Sequence, residues 1–239
     1  MEIIPVPAFS DNYLWLVHDG RSGESAVIDP GTAAPVLAQA RLRGWNVSQV
    51  WNTHWHPDHT GGNLEIKEAL GALISGPASE QIPGRDVGLH EGDEIRLGEC
   101  VGRVIEVPGH TLGHIAFMFY DQQIAFVGDT LFAMGCGRLF EGTPEQMYRS
   151  LDRITSLPAE TQLYCAHEYT LSNARFAAHA EPQNAAIARR LTEVQHLREE
   201  GKITVPTTVA KERETNPFVR ATNVAEFARL RKEKDSFRS

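Results

Sequence analysis

Four side chains suited to a borderline divalent metal crowd into six positions. They are His54, His56, Asp58 and His59, within Thr53-His54-Trp55-His56-Pro57-Asp58-His59-Thr60-Gly61-Gly62. The preceding Gln49-Val50-Trp51-Asn52-Thr53 reads as a strand. A strand cannot aim all four donors at one point, because successive side chains face opposite sides. Pro57 and the Gly61-Gly62 pair instead place them on a turn leaving that strand. Imidazoles at i and i+2 can reach one ion, whereas Asp58 and His59 point elsewhere, which suggests two metals side by side. The plain alternative is a polar surface loop that holds three histidines by chance. With ten histidines in 239 residues, such crowding is improbable.

The rest of the composition fits a globular chain: 41% of residues are hydrophobic and 23% charged, enough to bury a core. No apolar run approaches the roughly 20 residues of a membrane helix. Met1 to Pro7 reads as a strand rather than a leader, so a cytoplasmic location without membrane association is expected. Cys100, Cys136 and Cys165 form no C-x-x-C pair and match neither a disulfide framework nor a thiolate zinc site. The net charge of −8 argues against a nucleic-acid partner. The charge is uneven, however. Residues 211–239 carry eight Lys or Arg against five Asp or Glu, a basic tail suited to a small anionic ligand.

Along the chain, strands are expected at 2–7, 12–17 and 25–29, then a helix at 31–43 ended by Gly44. The metal strand follows at 49–53 and a helix at 62–70. Further strands are expected near 72–75, 94–97 and 101–107, then a hairpin of 114–120 and 123–127 across Asp121-Gln122. Thr143-Pro144-Glu145-Gln146 supplies a helix start with a capping box, for a helix running to about Leu157. A strand at 162–165 is followed by helices at 171–180, 184–200 and 223–234, with no further strand. The chain is therefore α/β to about residue 170, with a helical appendage after it.

Three more donors sit where strands end: His110 after Val107-Pro108-Gly109, Asp129 after Val127-Gly128, and His167 after Cys165-Ala166. Each alone reads as a turn residue, but in a layered α/β fold strand ends gather loop residues into a shared site. Five histidines and two aspartates without cysteine suit zinc, with iron or manganese as compatible alternatives. An aspartate can bridge two ions, and water held between them is acidic enough to supply hydroxide at neutral pH.

Thr53 to Gly62 resembles the T-H-x-H-x-D-H-x-G-G signature of the metallo-β-lactamase fold. Four further stretches are similar to glyoxalase II, the hydroxyacylglutathione hydrolases: residues 135–143, Cys165-Ala166-His167-Glu168-Tyr169-Thr170, Asn216-Pro217-Phe218-Val219-Arg220, and 231–237. The resemblance covers essentially the whole chain. It implies an αββα sandwich over residues 1–170 and a C-terminal helical domain over 171–239 that binds glutathione. Carried over by position, His54, His56 and His110 hold one metal, and Asp58, His59 and His167 the other, with Asp129 bridging. Arg138, Tyr169, Arg231 and Lys234 fall at glutathione contacts. Some family members have lysine at position 138 and tyrosine at 140; here Arg138 keeps the charge, while Phe140 lacks the hydroxyl.

The reaction implied is hydrolysis of S-D-lactoylglutathione to D-lactate and glutathione, the second step of methylglyoxal detoxification. A metal-bridging hydroxide would attack the thioester carbonyl, with Asp58 orienting it. Arg231 and Lys234 would pair with glutathione carboxylates; their plain reading is a solvated helix end. A glutathione persulfide dioxygenase using one iron on the same scaffold is the alternative enzyme. A metal-binding domain that has lost catalysis is the non-enzyme alternative, opposed by the intact donor set. His114 reads equally as a support for the metal ligands or as a satisfied strand histidine. A monomer acting on a small-molecule thioester is expected.

Overall fold

The computed structural model describes residues 1–238. The chain divides into two compact units: residues 1–106 with 113–128, and Val107–Leu112 with the residues from Asp129 on.

The first unit begins with β1 (Glu2–Ala8), β2 (Asn12–His18) and β3 (Glu24–Ile28), paired antiparallel in sequence order. Helix α1 (Ala34–Arg43) crosses over to β4 (Asn46–Trp51), which lies parallel to β3. The short α2 (Pro57–Thr60) and α3 (Asn63–Leu70) lead to β5 (Leu73–Pro77), and β6 (Val87–Leu89) completes the sheet, both parallel to their neighbours. Both long helices stop at a glycine: Gly44 at φ +66° and Gly71 at φ +69° take the left-handed conformation that is costly for a residue with a Cβ.

The same unit holds a second run of antiparallel strands, β7 (Glu94–Leu97), β8 (Cys100–Glu106), β9 (Ile115–Phe119) and β10 (Ile124–Gly128). Strands β2, β9 and β10 are buried on both faces, which explains their continuous apolar sequences. Trp51 of β4 packs on Phe117 and Phe119 of β9, at ring centroid distances of 5.9 Å each, so the two strand layers meet face to face. On the outer face of the first sheet, Val36, Ala40 and Ile66 pack with Val27, Val50 and Ile74. Burying each Val or Ile among them contributes about 1.5–3 kcal/mol.

In the second unit, β11 (Leu131–Phe132) and β12 (Gly135–Cys136) form a tight antiparallel hairpin. Helix α4 (Pro144–Thr155) starts on the expected box: Thr143 Oγ1 accepts from Gln146 N, and Gln146 Oε1 accepts from Thr143 N. Then come β13 (Gln162–Cys165), α5 (Thr170–Ala180) and α6 (Ala185–Glu199). A two-residue strand, β14 (Thr207–Thr208), pairs with β13, although no strand was expected after residue 170. Short α7 (Val209–Thr215) and α8 (Pro217–Arg220) precede α9 (Val224–Ser236). These small elements are set by caps, with Thr208 capping α7 and Asn216 capping α8, so no periodicity announces them.

Candidate metal centre

Four of the seven expected donors lie in the first unit. Strand β4 stops at Trp51, two residues earlier than the sequence suggested: Asn52 still bonds to the neighbouring β5, but Thr53 turns to other partners. Asn52 N donates to Ser75 O (2.9 Å), Thr53 N to Asp29 Oδ1 (2.7 Å), and Ile115 N to Thr53 O (2.9 Å). The expected turn is one turn of helix, α2, with Pro57 at its start, where a missing N–H costs nothing. Gly61 and Gly62 let it seat against the β3–α1 loop: a Cβ at Gly62 would collide with Pro30 O and the Thr32 backbone.

The imidazoles in this loop are oriented from behind. Thr53 Oγ1 donates to Asp29 Oδ2 (2.7 Å) and therefore accepts from His54 Nδ1 (3.0 Å). That fixes the tautomer with His54 Nε2 as the unprotonated nitrogen, and Nε2 lies 3.0 Å from His56 Nδ1. Asp29 Oδ2 lies 3.2 Å from His59 Nδ1, which leaves His59 Nε2 turned the other way, 3.5 Å from Asp58 Oδ2. Asn12 Nδ2 donates to Asp58 Oδ2 (3.1 Å). His54 and His59 are buried, as is Asp29, while Asp58 is partly open to solvent. His114 is fully buried and stacks on His54, rings 4.7 Å apart and 20° from parallel, so it supports the donor loop.

Asp29 was missed in the sequence although its signal was there. It follows strand β3 and precedes Pro30-Gly31, the same strand-end placement that singled out His110, Asp129 and His167. Its φ of +51° adds a backbone sign that only coordinates reveal.

The other three donors lie in the second unit. His110 Nδ1 donates to Arg138 O (2.9 Å), again leaving Nε2 as the acceptor, and that atom is 3.4 Å from Asp129 Oδ2. His167 Nε2 is also 3.4 Å from Asp129 Oδ2. One buried carboxylate thus sits between two buried imidazoles. Nitrogen and oxygen donors of this kind, with the His110 tautomer fixed by the hydrogen bond behind it, suit divalent metal ions.

The four residues expected at glutathione are all in this unit. Tyr169 stacks on His167, with centroids 4.7 Å apart and planes 5° apart, and keeps part of its face exposed. Lys234 Nζ donates to Ser172 Oγ (3.0 Å) and O (3.2 Å). Burial, then the nearby charges of Arg231 and Arg138, pushes its ammonium down to about 8. The charges of Arg138 and Arg231 thus reach Lys234, with Asp235 opposing them, and Arg138 is exposed. Arg231 is not a solvated helix end: it is 6% exposed, donates to Cys136 O (2.9 Å) and pairs with Asp235 (2.7 Å). Phe140 is exposed, its ring edge-on to His110 at 5.2 Å. The three thiols are buried, and burial raises the pKa of each, Cys165 to about 12; none resembles an activated nucleophile. No helix among the described residues is long and apolar enough to cross a membrane.

Residues 9–167 match the metallo-beta-lactamase superfamily model, and residues 168–237 match the hydroxyacylglutathione hydrolase C-terminus model. A hydroxyacylglutathione hydrolase from Methylococcus capsulatus is 50% identical, covering 100% of this chain and 99% of that protein. One from Hyphomonas neptunium is 55% identical over 92% of this chain and 87% of its own length. Among solved structures, ETHE1 from Myxococcus xanthus superposes with a TM-score of 0.77 at 25% identity, covering 100% of this chain and 93% of that one. TTHA1623, solved in a di-iron-bound form, gives a TM-score of 0.64 at 25% identity, covering 91% and 100%. The fold is that of the metallo-β-lactamases with a C-terminal helical region, and the chain belongs to the hydroxyacylglutathione hydrolase family within that superfamily.

Proposed function

We propose that this enzyme hydrolyses S-D-lactoylglutathione to D-lactate and glutathione at a dinuclear centre. In this reading His54, His56 and His110 would hold one ion and Asp58, His59 and His167 the other, with Asp129, which lies beside His110 and His167, contributing to both. Zinc is the metal proposed first; the donor set also accepts iron or manganese. When bound, such ions lower the pKa of coordinated water toward neutrality and polarise the thioester carbonyl.

The chain's own residues supply the rest. Asp58, held by Asn12 and partly open to solvent, orients the attacking water. Arg138, Arg231 and Lys234 pair with the two carboxylates of glutathione, and Tyr169 offers a flat face beside His167. The departing thiolate is a stable leaving group, so no strong general acid is needed. Residues 171–239 act as the glutathione-binding part and residues 1–170 as the catalytic part of a cytoplasmic monomer. The observation that carries the proposal is Asp129 lying 3.4 Å from both His110 and His167, with Arg138, Arg231 and Lys234 in the same unit.

The test is loss of thioester absorbance with metal-loaded protein. Turnover that stops on chelation and returns with metal is expected. No turnover in protein carrying two metals overturns the reading, and oxygen uptake with glutathione persulfide would then support the dioxygenase alternative.

A further inference from the structure

The β11–β12 hairpin joins two functional positions. Asp129 lies two residues before it and Arg138 two residues after it, and Gly137 N donates to Thr130 O (3.2 Å) across its base. Its tip is buried, so its backbone polar groups need partners. Side chains from the helical region provide them. Asn173 Nδ2 donates to Ala133 O (3.2 Å), Asn216 Nδ2 to Phe132 O (3.3 Å) and Gly135 O (2.9 Å), and Arg231 to Cys136 O. Met134 is held at φ +59°, a left-handed conformation unfavourable for a residue with a side chain. Its N–H donates to Glu212 Oε2 (2.8 Å).

Glu212 is fully buried on α7, and each of its oxygens is committed. Oε2 also accepts from Asn216 Nδ2 (2.8 Å); Oε1 accepts from Thr207 Oγ1 (2.6 Å) and Arg190 Nη2 (2.7 Å). One carboxylate thus fixes the strained turn and orients the asparagine, whose second proton is shared between Gly135 O and the more distant Phe132 O. Arg190 on α6 balances its charge.

We propose that Glu212 is a positioning residue: by clamping Met134 and Asn216 it sets the hairpin that places Asp129 for metal and Arg138 for the anionic end of the thioester. This rests on the roles proposed above for Asp129 and Arg138. It couples metal retention to substrate affinity through a residue that touches neither ligand.

The experiment uses the full metal-loaded chain and reads two quantities: metal retention against a competing chelator, and KM separately from kcat. Glu212→Gln is expected to weaken both metal retention and substrate affinity by about tenfold. Adding Met134→Gly, which removes the conformational penalty at the turn, is expected to recover most of both losses; a role confined to the stability of the Arg190 pair would not be rescued there. Should Glu212→Gln alone fail to fold, the neutral pair Arg190→Gln with Glu212→Gln takes its place. A folded Glu212 variant with wild-type retention and KM, or no recovery by Met134→Gly, overturns the proposal. Asp129→Ala distinguishes the two levels. If that variant keeps both metals, the assignment of Asp129 falls and the positioning role with it. If it loses metal while Glu212→Gln does not and KM is unchanged, only the positioning role falls.

Discussion

The two groups of donors are held in opposite ways. In the first unit His54, His56, Asp58 and His59 lie on one short stretch of chain, and Asp29, Thr53 and Asn12 orient them from adjacent strand ends. In the second unit His110, Asp129 and His167 come from three distant loops, and helical side chains from α5, α7 and α9 hold the hairpin after Asp129. The first arrangement is local, and needs one turn placed after one strand. The second exists only after long-range packing, and so depends on buried polar groups a long way along the chain. Local encoding makes a motif easy to read; distributed encoding makes a site easy to disturb from afar.

The largest effect should come from the distributed side. Asp129→Ala removes the carboxylate shared by two imidazoles and is expected to lower kcat/KM at least about a thousandfold, with loss of bound metal by elemental analysis. The local side should be less exposed to a single change in its supports. Asp29→Asn keeps the shape but weakens the acceptor behind His59, and is expected to loosen metal about 10–100-fold in chelator competition. If Asp29→Asn matched Asp129→Ala, the distinction between the two halves would fail.

A smaller effect concerns pH. Lys234 titrates near 8, so its cation is present below that value and disappears as pH rises through it. KM for the glutathione thioester should therefore rise by up to about tenfold from pH 7 to 9. Lys234→Arg, charged throughout, should flatten that rise, and a slope unchanged in this variant would place the titration elsewhere. The smallest effect is a control outside both donor groups. Thr143→Ala removes the capping box of α4 and should cost about 1 kcal/mol in denaturant unfolding, with kcat and KM unaltered.

The same division explains what the sequence revealed. The Thr53–Gly62 cluster, the α4 start at Thr143 and the hairpin around Asp121-Gln122 are short-range patterns, and each appears where the residues said. Strands β2, β9 and β10 were legible as unbroken apolar runs. Asn12 and Glu212 were not legible, because a buried polar residue looks like a turn or surface residue until its partners are known; Asp29 carried only the strand-end placement that His110, Asp129 and His167 share. Strand β14 and helices α7 and α8 escaped for a related reason: two to seven residues are too few for a period to show, and hydrogen bonds from Thr208 and Asn216 define them.

The burial of the three cysteines acquires a meaning once the product is considered. An enzyme releasing glutathione works where mixed disulfides can form, by attack of a thiolate on glutathione disulfide. A thiol at about 12, like Cys165, has only about one molecule in 10⁵ ionised at pH 7, and Cys100 and Cys136 are shifted in the same direction. Burial also denies the disulfide a line of approach to sulfur. The packing that fills the core thus keeps the catalyst chemically indifferent to the redox state of its own product.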